Sequence, residues 1–408
     1  DAGATWDVVD GILPGLDSTS MKNLVRADAY TIQAKGDVVA IGVFSPFNDV
    51  ALLKSTDNGN TWTRTVVHDF PIDLYDIDQG YTVDDLPPYD STLSPNPIAL
   101  YSNDGAGALA IDNDDMVHVF YGEMFLQDTN TTDGNWFYFP CTSGLAYWNE
   151  NFGPDSIRTI ADVEDLDGNG TFDVDCGTFD FGRYGISGLT SFPSAGVDPL
   201  NNIYLGYMAV MEGDEFYHPD DGQHNHHIYL MASTDGGENW TTPYDIVNED
   251  ILVEPELASL TETAYPHFAP LVDDKVHFIY QQDFRPGLSV IGDQDITEDN
   301  FINYAGVDVT LFGVTPTVEP AGAKPLHLSV MPNPASGMVR LMYDLPENAQ
   351  VQVSFLDLLG KEALRANGLT GFEGLNMGAV NIGDLRPGVY FVRLKAGERT
   401  VVRKLVVK

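Results

Sequence analysis

Short runs that alternate between apolar and polar residues recur along the chain, and helical periodicity is almost absent. Four apolar runs follow turns rich in Asp or Asn, at 37–44, 116–121, 202–207 and 275–280. Alternation with a period of two puts every second side chain on the same face of a sheet, so such runs predict β-strands. The pattern therefore predicts an all-β protein assembled from repeated units.

Two of these units continue into the same turn, at 55–62 and 233–240. In such a turn the Asp carboxylate accepts hydrogen bonds from the hairpin backbone, the Gly adopts a left-handed conformation and the Trp packs between sheets. We therefore interpret both turns as structural and not catalytic. Their shared positions are Ser55, Asp57, Gly59 and Trp62 in the first copy, and Ser233, Asp235, Gly237 and Trp240 in the second.

This pattern resembles the Asp-box of sialidase-type (BNR-repeat) β-propellers, although Asn239 stands where Thr is usual. The resemblance implies a propeller over 1–313 in which the Asp-boxes lie on outer hairpins, away from a ligand pocket. The repeats are spaced more widely than minimal blades, so five or six blades with inserted loops are expected. The segment 5–9 is expected to pair with 303–310 and close the ring.

A second strand-rich module follows at 327–408. It contains Pro332-Asn333-Pro334, a turn at 357–360 that ends in Gly360, a stretch at 381–390 that includes Gly388 and Tyr390, and a basic last strand with Lys404. This arrangement closely resembles the C-terminal sorting domain of the type IX secretion system of Bacteroidetes. The resemblance implies an Ig-like β-sandwich, the secretion machinery as a partner, and export through the periplasm to the outer-membrane surface or the medium.

Charge divides the chain at the Pro-rich segment 314–326, which we interpret as a linker. Residues 1–320 carry 54 acidic and nine basic side chains, a net charge of −45, whereas 321–408 carry seven and eleven, a net charge of +4. Such acidity argues against nucleic acid or an anionic membrane as a partner and favours divalent cations. No apolar run is long enough for a transmembrane helix. Because the chain starts at Asp1 without a signal peptide, we expect a mature form.

The loop 165–175 carries oxygen donors at alternate positions, with Gly170 at the sixth. This spacing is what Ca²⁺ requires, although Cys176 stands where an EF-hand has its bidentate Glu. The loop resembles the calcium loops of bacterial extracellular repeats and propellers, and Ca²⁺ is expected to stabilise it. The alternative is an acidic loop that its own side chains cap. The expected ligands are Asp165, Asp167, Asn169 and Asp173 through side chains and Thr171 through its carbonyl.

Two further groups leave alternatives open. Cys141 and Cys176 would form one disulfide in an exported protein, or remain as two buried thiols. His224 and His226 share one face of an extended segment and would hold Zn²⁺ or Cu²⁺ together with Asp220. Their spacing matches no standard metal site, so a solvated loop is favoured.

The sequence does not identify a set of catalytic residues. Resemblance to sialidases implies three arginines that bind the substrate carboxylate, a Tyr paired with Glu as the nucleophile, and an Asp as the acid/base. The early (Phe/Tyr)-Arg-Ile-Pro motif is missing, and 54 acidic residues allow no single pair of carboxylates to be chosen. The arginines of the acidic part are Arg26, Arg64, Arg158, Arg183 and Arg285.

Aromatic residues in the inserted segments suit either sugar recognition or loop packing. They are Tyr75, Tyr81, Tyr89, Trp136, Tyr138 and Phe139. The sequence therefore predicts an exported, non-catalytic propeller that binds a glycan or a surface protein and is stabilised by calcium. The alternatives are a sialidase-like glycoside hydrolase with divergent catalytic residues and a structural subunit of a surface layer or filament.

Overall fold

A computed structural model of the 408-residue chain divides it into two compact units, Asp1–Pro316 and Thr317–Lys408. The predicted closing strand at 5–9, Arg26, most of the linker and Gly360 lie outside the described residues. The structure describes residues 12–22, 29–92, 94–178, 180–247, 252, 258–289, 300–314, 327–345, 348–356, 361–366, 369, 371–372, 374–383, 385–397 and 399–408.

Antiparallel sheets follow one another along the first unit. The first sheet has the order β1-β2-β3-β4, with strands Tyr30–Lys35, Val38–Val43, Val50–Ser55 and Thr63–His68. The second has the order β5-β6-β8-β9, and β7 pairs with β6; these strands are Leu100–Ile111, Val117–Gln127, Phe137–Tyr138, Leu145–Asn149 and Arg158–Ala161.

The third sheet has the order β10-β11-β14-β15, and β12 and β13 form a separate ribbon. These six strands are Thr190–Val197, Ile203–Val210, Tyr217–His218, Gln223–His224, His226–Ser233 and Tyr244–Asp245. The fourth sheet has the order β16-β17-β18, with strands Glu262–Phe268, Lys275–Asp283 and Phe301–Asp308. Short 3-10 helices span Val83–Asp85, Asp214–Phe216 and Val309–Phe312.

The four apolar runs predicted from the sequence lie mainly in β2, β6, β11 and β17, the second strand of each sheet. β11 reads as a continuous apolar run because it is buried along its whole length, on both faces of its sheet. The all-β prediction is confirmed. The number of blades stays a prediction, because segments at both ends of this unit lie outside the described residues.

Each sheet buries one face against the next sheet. Apolar side chains from neighbouring sheets share common cores, and burying one large side chain stabilises the fold by roughly 1.5–3 kcal/mol. The first strands β5, β10 and β16 also lie against one another. Representative core residues are Leu52 and Trp148 between the first two sheets, Tyr147 and Leu205 between the next two, and Leu230 and Phe278 between the last two.

All three of these first strands are interrupted by a β-bulge. The register shifts between Asn103 and Gly107 in β5, between Ser191 and Ser194 in β10, and between Ala264 and His267 in β16. A bulge bends its strand and redirects the side chains beside it. The residues at the bulges therefore leave the regular alternation.

The second unit consists of two antiparallel sheets, β19-β20-β23 and β22-β21-β24-β25. Val339, Leu341, Phe355 and Leu394 contribute to the core between them, so this unit is a β-sandwich. Its strands are His327–Met331, Met338–Leu345, Val351–Leu356, Glu362–Ala366, Gly374–Asn381, Gly388–Ala396 and Arg399–Val407. In the described part of the chain, no helix is long and apolar enough to cross a membrane.

Candidate functional site

The first of the two similar turns, at 55–62, joins β3 to β4. Asp57 accepts hydrogen bonds from the Thr61 backbone N–H at 2.8 Å and from the Thr61 hydroxyl at 2.7 Å, and these bonds lower the pKa of Asp57. Ser55 Oγ accepts from the Gly59 N–H at 2.8 Å, and Gly59 has a φ of 85°. These polar side chains therefore make their hydrogen bonds within the turn itself.

The second turn, between β14 and β15, repeats this network. Asp235 accepts from the Asn239 N–H at 2.9 Å and from Asn239 Nδ2 at 2.7 Å, so Asn239 donates as Thr61 does in the first copy. The turn also contacts the second sheet, because Trp240 lies edge-on to Tyr147 at 5.3 Å and Tyr147 donates to the Gly236 carbonyl at 3.3 Å. Neither turn lines a cavity described below.

Carboxylates come together at the predicted calcium loop, but the residues involved differ from the expected ligands. Ligand oxygens of Asp165, Asp167 and Glu212 lie within 4.8 Å of one another. Asn169 and Thr171 are bonded within the loop: Asn169 Nδ2 donates to Asp173 Oδ2 at 2.7 Å, and the Thr171 N–H donates to Asn169 Oδ1 at 2.8 Å. The structure therefore brings two of the five expected ligands together with a carboxylate from another element.

Glu212 was missed in the sequence because it lies 39 residues beyond Asp173 of the loop, after β11. Its side chain is buried and accepts hydrogen bonds from the N–H groups of Leu166, Asp167 and Asp173, the last two at 3.3 and 3.2 Å. Position 12 of the loop holds Cys176 in place of an acid. Glu212 supplies a carboxylate from a distant segment of the chain, so loop spacing alone could not reveal it.

An acidic cavity of about 410 Å³ opens beside this loop. His224 faces the cavity, and burial lowers the pKa of its imidazole. A neutral His leaves the surrounding carboxylates without a positive partner on the cavity wall. The acidic lining residues are Asp167, Asp173, Glu212, Asp214 and Glu215.

The histidine cluster is buried, so the favoured solvated loop is wrong. His226 Nδ1 lies 3.0 Å from Glu262 Oε1, and His227 Nδ1 lies 2.8 Å from Asp245 Oδ2. His224 instead packs edge-on to Tyr217 at 5.2 Å. His224 and His226 thus occupy different surroundings, and among the described residues neither belongs to a group of three candidate metal ligands.

Cys141 and Cys176 form a disulfide, with Cα atoms 5.7 Å apart. The bond closes a segment that contains the whole acidic loop. It also borders an apolar cavity of about 670 Å³ with Phe139 in its wall.

Most of the inserted aromatic residues pack against one another. Tyr75 is fully buried, stacks on Phe47 at 5.3 Å and donates to Asp128 at 2.7 Å. Tyr81 and Trp136 join the same cluster. Tyr89 remains half exposed and lines a small cavity of about 220 Å³. Loop packing therefore explains most of these residues.

A central cavity of about 500 Å³ lies where the bulges of the first strands meet. Its wall combines aromatic and apolar side chains with the buried carboxyl of Asp104. The lining residues are Asp104, Gly105, Ala106, Gly107, Tyr184, Gly185, Ile186, Phe192, Pro193, Tyr265, Pro266, His267 and Leu288.

Two aromatic residues of this wall have left-handed backbone conformations. Phe192 has a φ of 51° and Tyr265 a φ of 55°, each at the bulge of its strand. Their rings meet edge-on at 4.7 Å, and Tyr184 lies edge-on to Tyr265 at 5.5 Å. Such conformations cost on the order of 1–3 kcal/mol each and cluster at functional sites. The central cavity is therefore the strongest candidate site.

Carboxyl groups at this cavity are buried and bonded. Asp104 accepts from the Ser191 hydroxyl and from the Ala106 N–H at 2.9 Å, and burial raises its pKa to about 6. Tyr184 donates its hydroxyl to Glu262. Burial, reinforced by Glu262, raises the pKa of Tyr184 well above its ordinary value. None of these residues was identified from the sequence, because their neighbours come from different sheets.

The four described arginines of the acidic unit do not converge on the cavity. Arg64 binds Asp49 at 2.8 Å, Arg158 binds Glu238 at 2.9 Å and Arg285 binds Asp221 at 2.8 Å. Arg183 lies 3.4 Å from the Tyr138 hydroxyl. The described residues therefore present no arginine triad at this site.

In the second unit, the sorting motif is hydrogen-bonded to the last strand, β25. Asn333 Nδ2 donates to the Lys404 carbonyl at 2.8 Å, and the Val406 N–H donates to Asn333 Oδ1 at 2.9 Å. Pro332 and Pro334 flank Asn333 on the surface, while Gly388 begins β24. Tyr390 donates its hydroxyl to the Arg386 carbonyl at 3.0 Å.

The sandwich with this motif is a secretion-system sorting module. Residues 329–408 match the model of the family described as Secretion system C-terminal sorting domain. The chain is therefore cargo of the type IX secretion machinery and is exported to the cell surface or the medium. No curated protein sequence matches the chain.

Three solved structures illustrate the likeness of the whole chain to known proteins. The GH43 endo-arabinanase from Bacillus licheniformis is 12% identical, with 86% of this chain and 92% of that chain covered and a TM-score of 0.30. The Hadza microbial sialidase Hz136 is 11% identical, with coverage of 91% and 67% and a TM-score of 0.28. PorZ, a surface component of the type IX secretion system of Porphyromonas gingivalis, is 9% identical, with coverage of 93% and 59% and a TM-score of 0.16. Likenesses this weak assign no activity to the chain.

Proposed function

We propose that the acidic unit is a β-propeller that binds a glycan at the bacterial surface without cleaving it. Support for the propeller comes from the strand order. Sheets that run from first to last strand in sequence follow one another, share cores face to face and bring their first strands together. Five or six blades are proposed for the complete ring.

The central cavity carries the binding proposal. Its volume lies within the range of roughly 300–1,000 Å³ typical of small-molecule sites, and it combines aromatic rings with a few polar groups. Strained backbone at Phe192 and Tyr265 aims both rings at the same space. Aromatic faces beside a carboxyl and backbone polar groups suit the apolar faces and hydroxyls of a sugar.

Binding is tested with a glycan array, followed by titration calorimetry on the best ligand. Tyr265→Asn is the informative variant, because Asn tolerates a positive φ and the change removes the ring. We expect it to weaken binding at least tenfold. Tyr304→Phe, at an exposed tyrosine on β18, should bind like the wild type. Full binding by Tyr265→Asn would refute the cavity as the site.

Calcium is proposed as the structural cation at the acidic loop. Asp165, Asp167 and Glu212 would hold it, and a divalent charge would offset the repulsion among the carboxylates of the adjoining cavity. The competing explanation is the loop's own hydrogen bonding, in which Glu212 caps three backbone N–H groups.

Thermal unfolding with excess CaCl2 and with EDTA separates these explanations. At a free calcium concentration 100 times Kd, the ion should stabilise the fold by about 2.7 kcal/mol. Glu212→Gln should lose most of that difference, and Glu215→Gln, on the wall of the same cavity but outside the three-carboxylate group, should keep it. Identical melting of the wild type in both buffers would leave the self-capped loop as the correct explanation.

One observation favours glycoside hydrolysis as the second candidate function. Tyr184 donates a hydrogen bond to Glu262 and lines the same cavity as Asp104. The raised pKa of Asp104 suits a general acid. Against it, the high pKa of Tyr184 makes a poor nucleophile, and no arginine triad is present among the described residues. A panel of aryl glycosides assayed with wild type, Asp104→Asn and Tyr184→Phe decides this: turnover lost in both variants would establish an enzyme.

A further inference from the structure

The charges of the acidic unit bear on which sugars the central cavity accepts. Beyond Arg26, which lies outside the described residues, this unit has eight basic residues. None of the eight lines the central cavity.

Each of these eight side chains has a partner elsewhere. The arginines contact the residues named above. Among the lysines, Lys54 binds Glu150 at 2.6 Å, Lys35 donates to Asn113 at 2.6 Å, Lys22 lies 3.5 Å from Asp76 and Lys275 lies 3.9 Å from Asp308. The described lysines and arginines therefore lie away from the cavity, and His267 is the one basic side chain among its lining residues.

Two carboxyl groups, by contrast, lie at or behind the cavity wall. Asp104 lines it directly, and Glu262 lies behind Tyr184. Glu262 is already bonded to Tyr184 and to the His226 N–H at 2.5 Å. An anionic ligand would be desolvated beside carboxyl groups with no described lysine or arginine as a counter-charge, and that desolvation is costly.

We propose that the central cavity takes an uncharged sugar residue and rejects sugars that carry a carboxylate. This inference rests on the proposed glycan-binding function. Phe192, Tyr184 and Tyr265 form an apolar wall for the faces of a pyranose or furanose ring. Asp104 and the backbone around Gly105 supply the polar edge for hydroxyl groups.

Matched pairs of sugars that differ by one acidic unit test the inference on the full-length protein. Suitable probes are lactose against sialyllactose and a neutral glucan trisaccharide against the corresponding oligoglucuronate, titrated by calorimetry. We expect the neutral member to bind at least tenfold more tightly. Equal or tighter binding of the acidic member would overturn the inference and leave the binding function intact. Failure of every neutral and acidic sugar to bind would overturn both.

A gain-of-function variant gives a second readout. Leu288→Arg places a cation on the cavity wall and should raise the affinity for the acidic probe at least tenfold. Ile302→Arg, on an exposed position of β18, adds the same charge outside the cavity and should leave that affinity unchanged. An equal rise in affinity for the acidic probe in both variants would show that net charge, and not the cavity, discriminates between the sugars. That result would contradict a selective cavity.

Discussion

At the scale of single residues, the sequence identified side chains whose partners are local. Asp57 and Asp235 bond within their own turns. Asp104 and Glu212 could not be found in the same way. Asp104 is hydrogen-bonded to Ser191, 87 residues away, and Glu212 is hydrogen-bonded to Asp173, 39 residues before it. Their chemistry depends on neighbours that only folding brings together.

Asp104 should make stability depend on pH. Its folded-state pKa of about 6 lies above the ordinary 3.8, so the folded protein holds this proton more tightly than the unfolded chain does. The associated stability is present below about pH 4 and is lost as the pH rises to about 6, a change of roughly 3 kcal/mol. Urea unfolding of Asp104→Asn from pH 4 to 7 should show a correspondingly smaller decline.

Asp57→Asn is the control of opposite sign. The pKa of Asp57 is lowered in the folded state, so its stabilisation is present above its ordinary pKa of 3.8 and is lost as the pH falls further. Its removal should leave the slope between pH 4 and 7 unchanged. An Asp104→Asn slope equal to that of the wild type would contradict the burial assigned to Asp104.

At the scale of elements, alternation predicted the strands well, and the turn residues at 55–62 and 233–240 predicted two similar hairpin turns. Packing between sheets was not readable from the sequence, because it joins segments far apart in the chain. The two turns illustrate this difference: their internal hydrogen bonds match, yet only the second has Trp240 and Gly236 against Tyr147 of another sheet.

Replacement of the equivalent glycines in the two hairpins by alanine should therefore destabilise the fold to different extents. A Cβ at Gly59 would meet Trp62 only at 3.7 Å, so Gly59→Ala should cost the left-handed strain alone, about 1–2 kcal/mol. A Cβ at Gly237 would overlap the Tyr147 hydroxyl, and overpacking adds roughly 1–3 kcal/mol. Urea midpoints of the two variants measure the difference; equal losses would contradict the contact between sheets.

The disulfide should stabilise the segment that carries the acidic loop. Because Cys141 and Cys176 are 35 residues apart, loop-closure entropy predicts about 3–4 kcal/mol for the bond. The Cys141→Ser/Cys176→Ser double variant should lose stability of that order in chemical denaturation. Reducing agent should then lower the stability of the wild type but not of the variant; a response of the variant would point to another cause.

At the scale of the whole molecule, the charge split coincides with the two compact units. Each unit has cores made from its own residues. The acidic unit and the sorting module are therefore separate folds, and the sorting module does not need the acidic unit for its core.

Independent units should unfold in two calorimetric transitions with different salt dependence. Monovalent salt screens the self-repulsion of the acidic unit, so its midpoint should rise between 50 mM and 500 mM NaCl. The midpoint of the sorting module, with a net charge of +4 over 321–408, should move much less. Separately expressed 1–316 and 317–408 provide the reference midpoints. A single transition that shifts as one would contradict independence.

The sequence by itself determined the all-β class, the sorting module, the charge split and the two similar hairpin turns, because alternation, turn residues and short motifs act over a few neighbouring positions. Only the tertiary structure decided which carboxylates come together at the acidic loop, that His226 is buried, and where the central cavity lies. The central cavity arises where bulged strands from different sheets meet, and the contacts that create all three features join residues tens of positions apart. Local pattern carries no record of such contacts.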